Sequence, residues 1–114
     1  MEQDYSVRAV ARYVRLSPQK VRLVLDQVRG KGVEEALALL RFMPQRAARP
    51  VAKLIQSAAA NAEDRYGFGP DELYIAQIYA DDGPRMKRYR IGARSRIKPR
   101  LRRYTHITVV LGLR

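Results

Sequence analysis

The sequence predicts an α+β fold in which three helices pack on a small antiparallel sheet and a long β-hairpin protrudes from it. Three observations predict this. Strand-like alternation opens the chain, as VRAVARYV, and returns near its end, as THITVVLGL. Between them lie three apolar stripes at helical spacing, punctuated by Ser-Pro, Gly and Pro. The segment joining the last two strands, RMKRYRIGARSRIKPRLRRY (85–104), holds ten Lys and Arg in twenty positions and no acid.

Taken in order, YSVRAVARYVRL (5–16) alternates Val7, Ala9, Ala11 and Tyr13 with Arg8, Val10, Arg12 and Val14. That pattern predicts an amphipathic strand carrying two arginines on its outer side. SPQKVRLVLDQVRG (17–30) predicts a helix: Ser17 can cap free N–H groups, Pro18 suits the first helical position, and Gly30 closes it. Its stripe is Val21, Val24, Leu25 and Val28. In GVEEALALLRFMP, Glu34 and Glu35 fall in a first turn, where the helix dipole favours acids. Val33, Ala36, Leu37 and Leu40 make the apolar face, and Pro44 limits the helix.

A third helix is expected from about 47 to 64, with a seam of Ala48, Val51, Ala52, Ile55, Ala59 and Ala62. Pro50 must then lie in its first turn. YGFGPD is a turn cluster, and LYIAQIYA (73–80), rich in β-formers, is a strand that DDGP is expected to break. In THITVVLGL, Ile107, Val109 and Leu111 alternate with His106, Thr108 and Val110. No repeat or low-complexity linker divides the chain. It is therefore expected to form a single domain over 1–114, with a globular base at about 1–84 and 105–114 and an arm at about 85–104. Ten residues per arm strand would reach about 33 Å. So thin a ribbon buries little of its own surface, so its order must come from what it contacts.

The formal charge is +12, and its placement matters more than its size. Outside 85–104, 13 bases face 11 acids. A second acid-free patch, 5–25, carries Arg8, Arg12, Arg15, Lys20 and Arg22. Localised positive charge points to a polyanion, and Arg, which outnumbers Lys here, offers the fork that suits phosphate. The arm is not a bare polyelectrolyte, because Met86, Tyr89, Ile91, Ile97, Leu101 and Tyr104 are interleaved with its charges. A solvated tail is the bland alternative, but a loop with both ends fixed in a sheet aims its charge. RNA suits it better than duplex DNA: a narrow ribbon with Arg, Tyr89 and Tyr104 can enter irregular RNA, pair phosphates and stack on unpaired bases. A helix-turn-helix reading of the first helix lacks the motif's turn and docking context.

Other function classes find little support. There is no cysteine, hence no disulfide or thiolate metal site. MEQDYSVRAV lacks the basic start and apolar run of a signal peptide, and no stretch approaches the roughly 20 apolar residues of a membrane span. The chain is expected to be soluble and intracellular. His106, the one histidine, has no orienting carboxylate near it on its own strand, so it is expected to be packed or RNA-facing. Asp81–Asp82 is expected to make a turn rather than a metal site. There is no NTPase-type phosphate loop. No enzymatic activity, cofactor, metal, membrane or small-molecule substrate is expected.

ARYVRLSPQKVRLVLDQVRGKGVEEAL (11–37) closely resembles the family of bacterial large-subunit ribosomal protein twenty-two, the universal L22 family. The resemblance continues through VAKLIQSAAANAE (51–63), LYIAQIYADDGPRMKR (73–88) and THITVVLG (105–112), in one order across nearly the whole chain. It implies a base on the solvent side of the large subunit and an arm reaching through ribosomal RNA to the nascent-peptide exit tunnel. The family's arm usually reads K-R-x-x-P-R-A-R-G-R, then H-I-T after nine residues. Lys87, Arg88, Ala93, Arg94, Arg96, His106, Ile107 and Thr108 match it. Ile91, Gly92, Ser95 and Pro99 depart, and Arg100 and Leu101 stand in exchanged order, without reducing the charge.

The expected function is therefore that of a structural constituent of the large subunit in the cytoplasm, acting in assembly and in shaping the tunnel. A free-standing RNA or DNA chaperone or nucleic-acid-binding regulator is the alternative. Expected RNA contacts at the base are Arg8, Arg12, Arg15, Ser17, Lys20 and Arg22. Along the arm they are Lys87, Arg88, Arg94, Arg96, Lys98, Arg100, Arg102 and Arg103, with Thr105 and His106 where the last strand begins. Arg90, Ile91, Gly92, Ala93, Arg94, Ser95 and Arg96 are the expected tunnel-lining tip. The expected partners are large-subunit ribosomal RNA, neighbouring large-subunit proteins and the nascent polypeptide.

Overall fold

The computed structural model describes residues 6–82, 86–91, 97–102 and 104–113. The elements run β1 (Val7–Val14), α1 (Pro18–Val28), α2 (Val33–Arg41), α3 (Ala48–Tyr66), a 3-10 turn (Pro70–Glu72), β2 (Leu73–Asp82), β3 (Met86–Ile91), β4 (Ile97–Arg102) and β5 (Thr105–Leu113). β1, β5 and β2 form an antiparallel sheet in that spatial order, and β3 and β4 pair as a separate antiparallel ribbon. The fold is the α+β arrangement that the sequence predicts.

The core lies between the sheet and its helices. Ile107, Val109 and Leu111 of the central strand are fully buried with Ile75 and Ile78 of β2 and Val7 of β1. Against them pack Val21, Val24, Leu25 and Val28 of α1 and Val51, Ile55, Ala58 and Ala62 of α3. Each such Val, Leu or Ile contributes roughly 1.5–3 kcal/mol through removal from water. α3 lies on β1 and β5, α1 on β2, and α2 on α3.

The helix boundaries follow their caps. Ser17 Oγ accepts the Lys20 N–H at 3.4 Å, Pro18 begins α1, and Gly30 follows the helix at φ +81°. Glu34 and Glu35 occupy the first turn of α2, as its dipole favours. Pro50 does fall in the first turn of α3, but that helix runs two residues beyond its expected end. Gly67, at φ +74°, terminates it by giving its N–H to the Glu63 carbonyl at 2.8 Å. Leu54 and Ala58 join the buried seam, which is wider than its alanines suggested.

Two bulges reconcile the strands with the core. In β2 the register shifts between Ile75 and Gln77, so Ile75 faces Leu111 and Ile78 faces Val109 across the sheet. Without the extra residue, Ile75 and Ile78 would point to opposite faces. In β1 the register shifts between Ala11 and Val14, setting Arg12 and Tyr13 against His106 alone. The expected alternation fails here: Tyr13 is 59 % exposed, not inward, whereas Val14 is half-buried against the core. A second correction concerns Asp81 and Asp82. They do not turn the chain but continue β2, opposite His106 and Thr105.

The β2 edge is closed. Gly30 gives its N–H to the Ile75 carbonyl (3.1 Å), and Ile75 gives its own to Lys31 (2.9 Å). Farther along, Arg29 Nη2 donates to the Ile78 carbonyl (3.0 Å) and Arg22 Nη2 to that of Ala80 (2.9 Å). Two arginines thus occupy carbonyls on which another strand could pair.

The molecule measures 66 × 32 × 19 Å, with a radius of gyration of 17.4 Å. A compact domain of this length has a radius near 13 Å. The excess fits a base with a projecting ribbon.

Candidate nucleic-acid interface

Among the described residues, all three helices lie on one side of the sheet. The other face carries alternate positions of each strand: Arg8, Val10, Arg12 and Tyr13 from β1, His106, Thr108 and Val110 from β5, and Gln77, Tyr79 and Asp81 from β2. Tyr74 joins them beside Gly112. A Cβ at Gly112 would lie 2.8 Å from the Tyr74 ring, so glycine is what lets the ring lie over the strand. Thr108 is buried, flanked by its register partners Val10 and Tyr79. The result is a half-buried aromatic and basic surface rather than a smooth polar one.

At the end of the sheet from which the arm departs, three rings meet. Tyr13 stands edge-on to His106 at 4.9 Å and to Tyr104 at 6.2 Å. The Tyr13 N–H donates to His106 Nδ1 at 3.1 Å, so the neutral imidazole keeps its proton on Nε2 as a further donor. Tyr13 adopts φ +58°, the one non-glycine residue with positive φ among those described. For an aromatic residue that conformation costs roughly 1–2 kcal/mol. In return the bulge holds the ring over His106 and leaves Arg12 exposed. His106 is half-buried on the open face, with Tyr13 edge-on against its ring. Its neighbouring strand also brings Asp81 opposite, a carboxylate invisible from the local sequence, although no hydrogen bond joins the two side chains.

The expected basic contacts at the base now divide. Arg8, Arg12, Arg15 and Lys20 are exposed and have no ion-pair partner among the described residues, where the pairs are Arg29–Asp26 and Lys31–Glu35. Arg22 is exposed as a residue, but its guanidinium donates to the Ala80 carbonyl. Ser17 Oγ serves the α1 cap. Thr105 leaves the contact set: it is fully buried, and its hydroxyl donates to the Leu16 carbonyl at 2.6 Å. It fastens β5 to the turn after β1 and has no surface to offer.

On the ribbon, Lys87, Arg88, Arg90 and Ile91 lie in β3, and Lys98, Arg100 and Arg102 in β4. Gly92, Ala93, Arg94, Ser95, Arg96 and Arg103 lie outside the described residues. The register sets Arg88 opposite Arg100 and Arg90 opposite Lys98, with Tyr89 opposite Pro99 and Ile91 opposite Ile97 between and beyond them. Successive pairs alternate between the two faces of a ribbon. Like charges set directly opposite one another destabilise a strand pair. Two such like-charged pairs stand in register along the ribbon, Arg88 with Arg100 and Arg90 with Lys98.

Sequence reasoning missed Tyr74 and Tyr79 as members of the open face. They lie five residues apart, which in a regular strand means opposite sides; the bulge at Ala76 puts them on the same one. The four residues between the two tyrosines hold no signal for a bulge.

Among the described residues no cluster of His, Asp or Glu could hold a metal ion, and no helix is long and apolar enough to cross a membrane. The chain is thus an α+β base with an aromatic and basic open sheet face, continued by a basic ribbon. The sequence profile of the family described as ribosomal protein L22p/L17e matches residues 9–112. The chain belongs to this family, whose members are structural, non-enzymatic ribosomal proteins. It is 52 % identical over 105 residues to the large ribosomal subunit protein uL22 of Thermomicrobium roseum, covering 92 % of this chain and 89 % of that one. The protein of the same name from Chloroflexus aggregans is 56 % identical over 105 residues, covering 92 % and 93 %. That of Thermoanaerobacter pseudethanolicus is 54 % identical over 104 residues, covering 91 % and 94 %.

Proposed function

We propose that this chain is a structural constituent of the large ribosomal subunit that binds large-subunit ribosomal RNA through two basic regions and extends its ribbon to the nascent-peptide exit tunnel. Arg8, Arg12, Arg15 and Lys20 pair with phosphates at the base, beside the Tyr13–His106 cluster. Lys87, Arg88, Arg94, Arg96, Lys98, Arg100, Arg102 and Arg103 neutralise phosphates along the arm. Residues 90–96 form the tip at the tunnel wall, where the nascent polypeptide passes, and neighbouring large-subunit proteins complete the surroundings.

The observation that carries this reading is the ribbon register. A hairpin that sets Arg88 opposite Arg100 and Arg90 opposite Lys98 in register is favoured by an external anion that offsets the like charges. Phosphates supply it, with the release of counterions. Binding of the full chain to a large-subunit RNA transcript, titrated against salt, tests the reading. The twelve cations assigned above, each on a single-strand phosphate, give a log–log slope of about −8. A slope near zero contradicts a phosphate-driven arm. In fractionated cells the chain is expected to co-sediment with large subunits through moderate salt washes; recovery in the free pool alone favours a nucleic-acid chaperone.

A further inference from the structure

A third charged surface lies where α2 turns into α3. A groove of about 1040 Å³ between the two helices is lined by Arg41, Arg46 and Arg49, with Glu34 its one carboxylate. None of the three arginines has an ion-pair partner among the described residues. Next to them Phe42, at the C-cap of α2, is 83 % exposed, the most exposed of the large apolar side chains described. A shallower hollow of about 450 Å³, lined by Leu23, Leu39, Phe42 and Met43 among others, adjoins the groove through Met43, Pro44 and Gln45.

Fold stability explains Arg41, a cation in the last turn of α2 where the dipole favours it, but not the rest of the arrangement. Arg46 and Arg49 flank the start of α3, where the helix dipole is positive and disfavours cations, and α3 has no side-chain cap there. A phenylalanine left in water contributes nothing to the core. Both features are accounted for by one ligand type, an anion bearing flat apolar groups.

We propose that the α2–α3 corner is a third RNA-binding surface, in which Arg41, Arg46 and Arg49 hold phosphates and an unpaired base stacks on Phe42. The inference rests on the proposed ribosomal RNA-binding role and extends it to residues outside the base and arm contacts. RNA is favoured over a protein partner by charge: three bases to one acid in the groove match a phosphate run, and aromatic–base stacking needs no sequence match.

The chain has no cysteine, so an introduced one is unique. Gln45→Cys and, as a control on the arm, Met86→Cys are each coupled to a short photo-crosslinker and assembled into large subunits. Reverse-transcription stops then map the attached nucleotides. RNA crosslinks from both positions are expected. RNA crosslinks from position 86 with only protein crosslinks, or none, from position 45 overturn the third surface and leave the arm reading standing. No RNA crosslink from either position overturns the functional reading itself. With the purified full chain and a large-subunit RNA transcript, Phe42→Ala is expected to weaken binding about tenfold. The triple change R41Q/R46Q/R49Q is expected to reduce the salt slope by about 2. Unchanged affinity and slope count against the proposal, and circular dichroism checks that these exposed substitutions leave the fold intact.

Discussion

At the residue scale, the junction between sheet and arm shows how closely structural and binding tasks are interleaved. Thr105 and His106 are adjacent and were both expected at the RNA surface, yet successive residues of a strand face opposite ways. Thr105 turns inward and satisfies the Leu16 carbonyl; His106 turns outward and anchors the strained Tyr13. Thr105→Val keeps the shape but removes the donor from the half-buried Leu16 carbonyl. It is expected to destabilise the protein by about 1–3 kcal/mol in urea denaturation, with RNA affinity per folded molecule unchanged. Equal stability with weaker binding would return Thr105 to the interface. His106→Ala should act the other way, releasing the Tyr13 ring and weakening RNA binding more than folding.

At the element scale, α1 and β2 separate two uses of arginine. Arg22 and Arg29 close an edge strand, whereas Arg12 projects from a bulge. Arg22→Ala is therefore expected to cost about 1 kcal/mol of stability while leaving the salt slope of RNA binding nearly unchanged. Arg12→Ala should reduce the magnitude of that slope by about 0.7 at constant stability. The reverse pattern would show that Arg22 is a phosphate contact. The helices were legible from sequence because their signals are local: Ser17–Pro18 before the 21, 24, 25, 28 stripe, Glu34–Glu35 in a first turn, Pro50 near a start. The strands were legible only as elements. The bulges at Ala76 and at Arg12–Tyr13 arise from fitting each strand to β5, a long-range condition that periodicity within the strand cannot express. For the same reason the open-face tyrosines, the Asp81–His106 juxtaposition and the buried hydroxyl of Thr105 were hidden. The exposure of Arg8, Arg12, Arg15 and Lys20 was readable, since unpaired charge stays in water whatever the strand pairing.

At the scale of the whole molecule, two halves obey different physics. The base holds itself together: its central strand is buried on the core side by helices and tied on both edges. The ribbon has paired strands but like-charged cross-strand neighbours, and its stability is expected to come from RNA. Ile55→Ala, in the base, should therefore cost about 2–5 kcal/mol with or without RNA bound. Raising salt should loosen the ribbon's hold on RNA and leave the base folded. The central claim is that phosphate counter-charge, rather than a hydrophobic core, fixes the ribbon. Amide hydrogen exchange on the full chain, free and within large subunits, tests it most directly. The expected result is rapid exchange across Met86–Ile91 and Ile97–Arg102 in the free protein, strong protection of both in the particle, and protection of Thr105–Leu113 in each state. Equal, strong protection of the two ribbon strands without RNA would contradict the account.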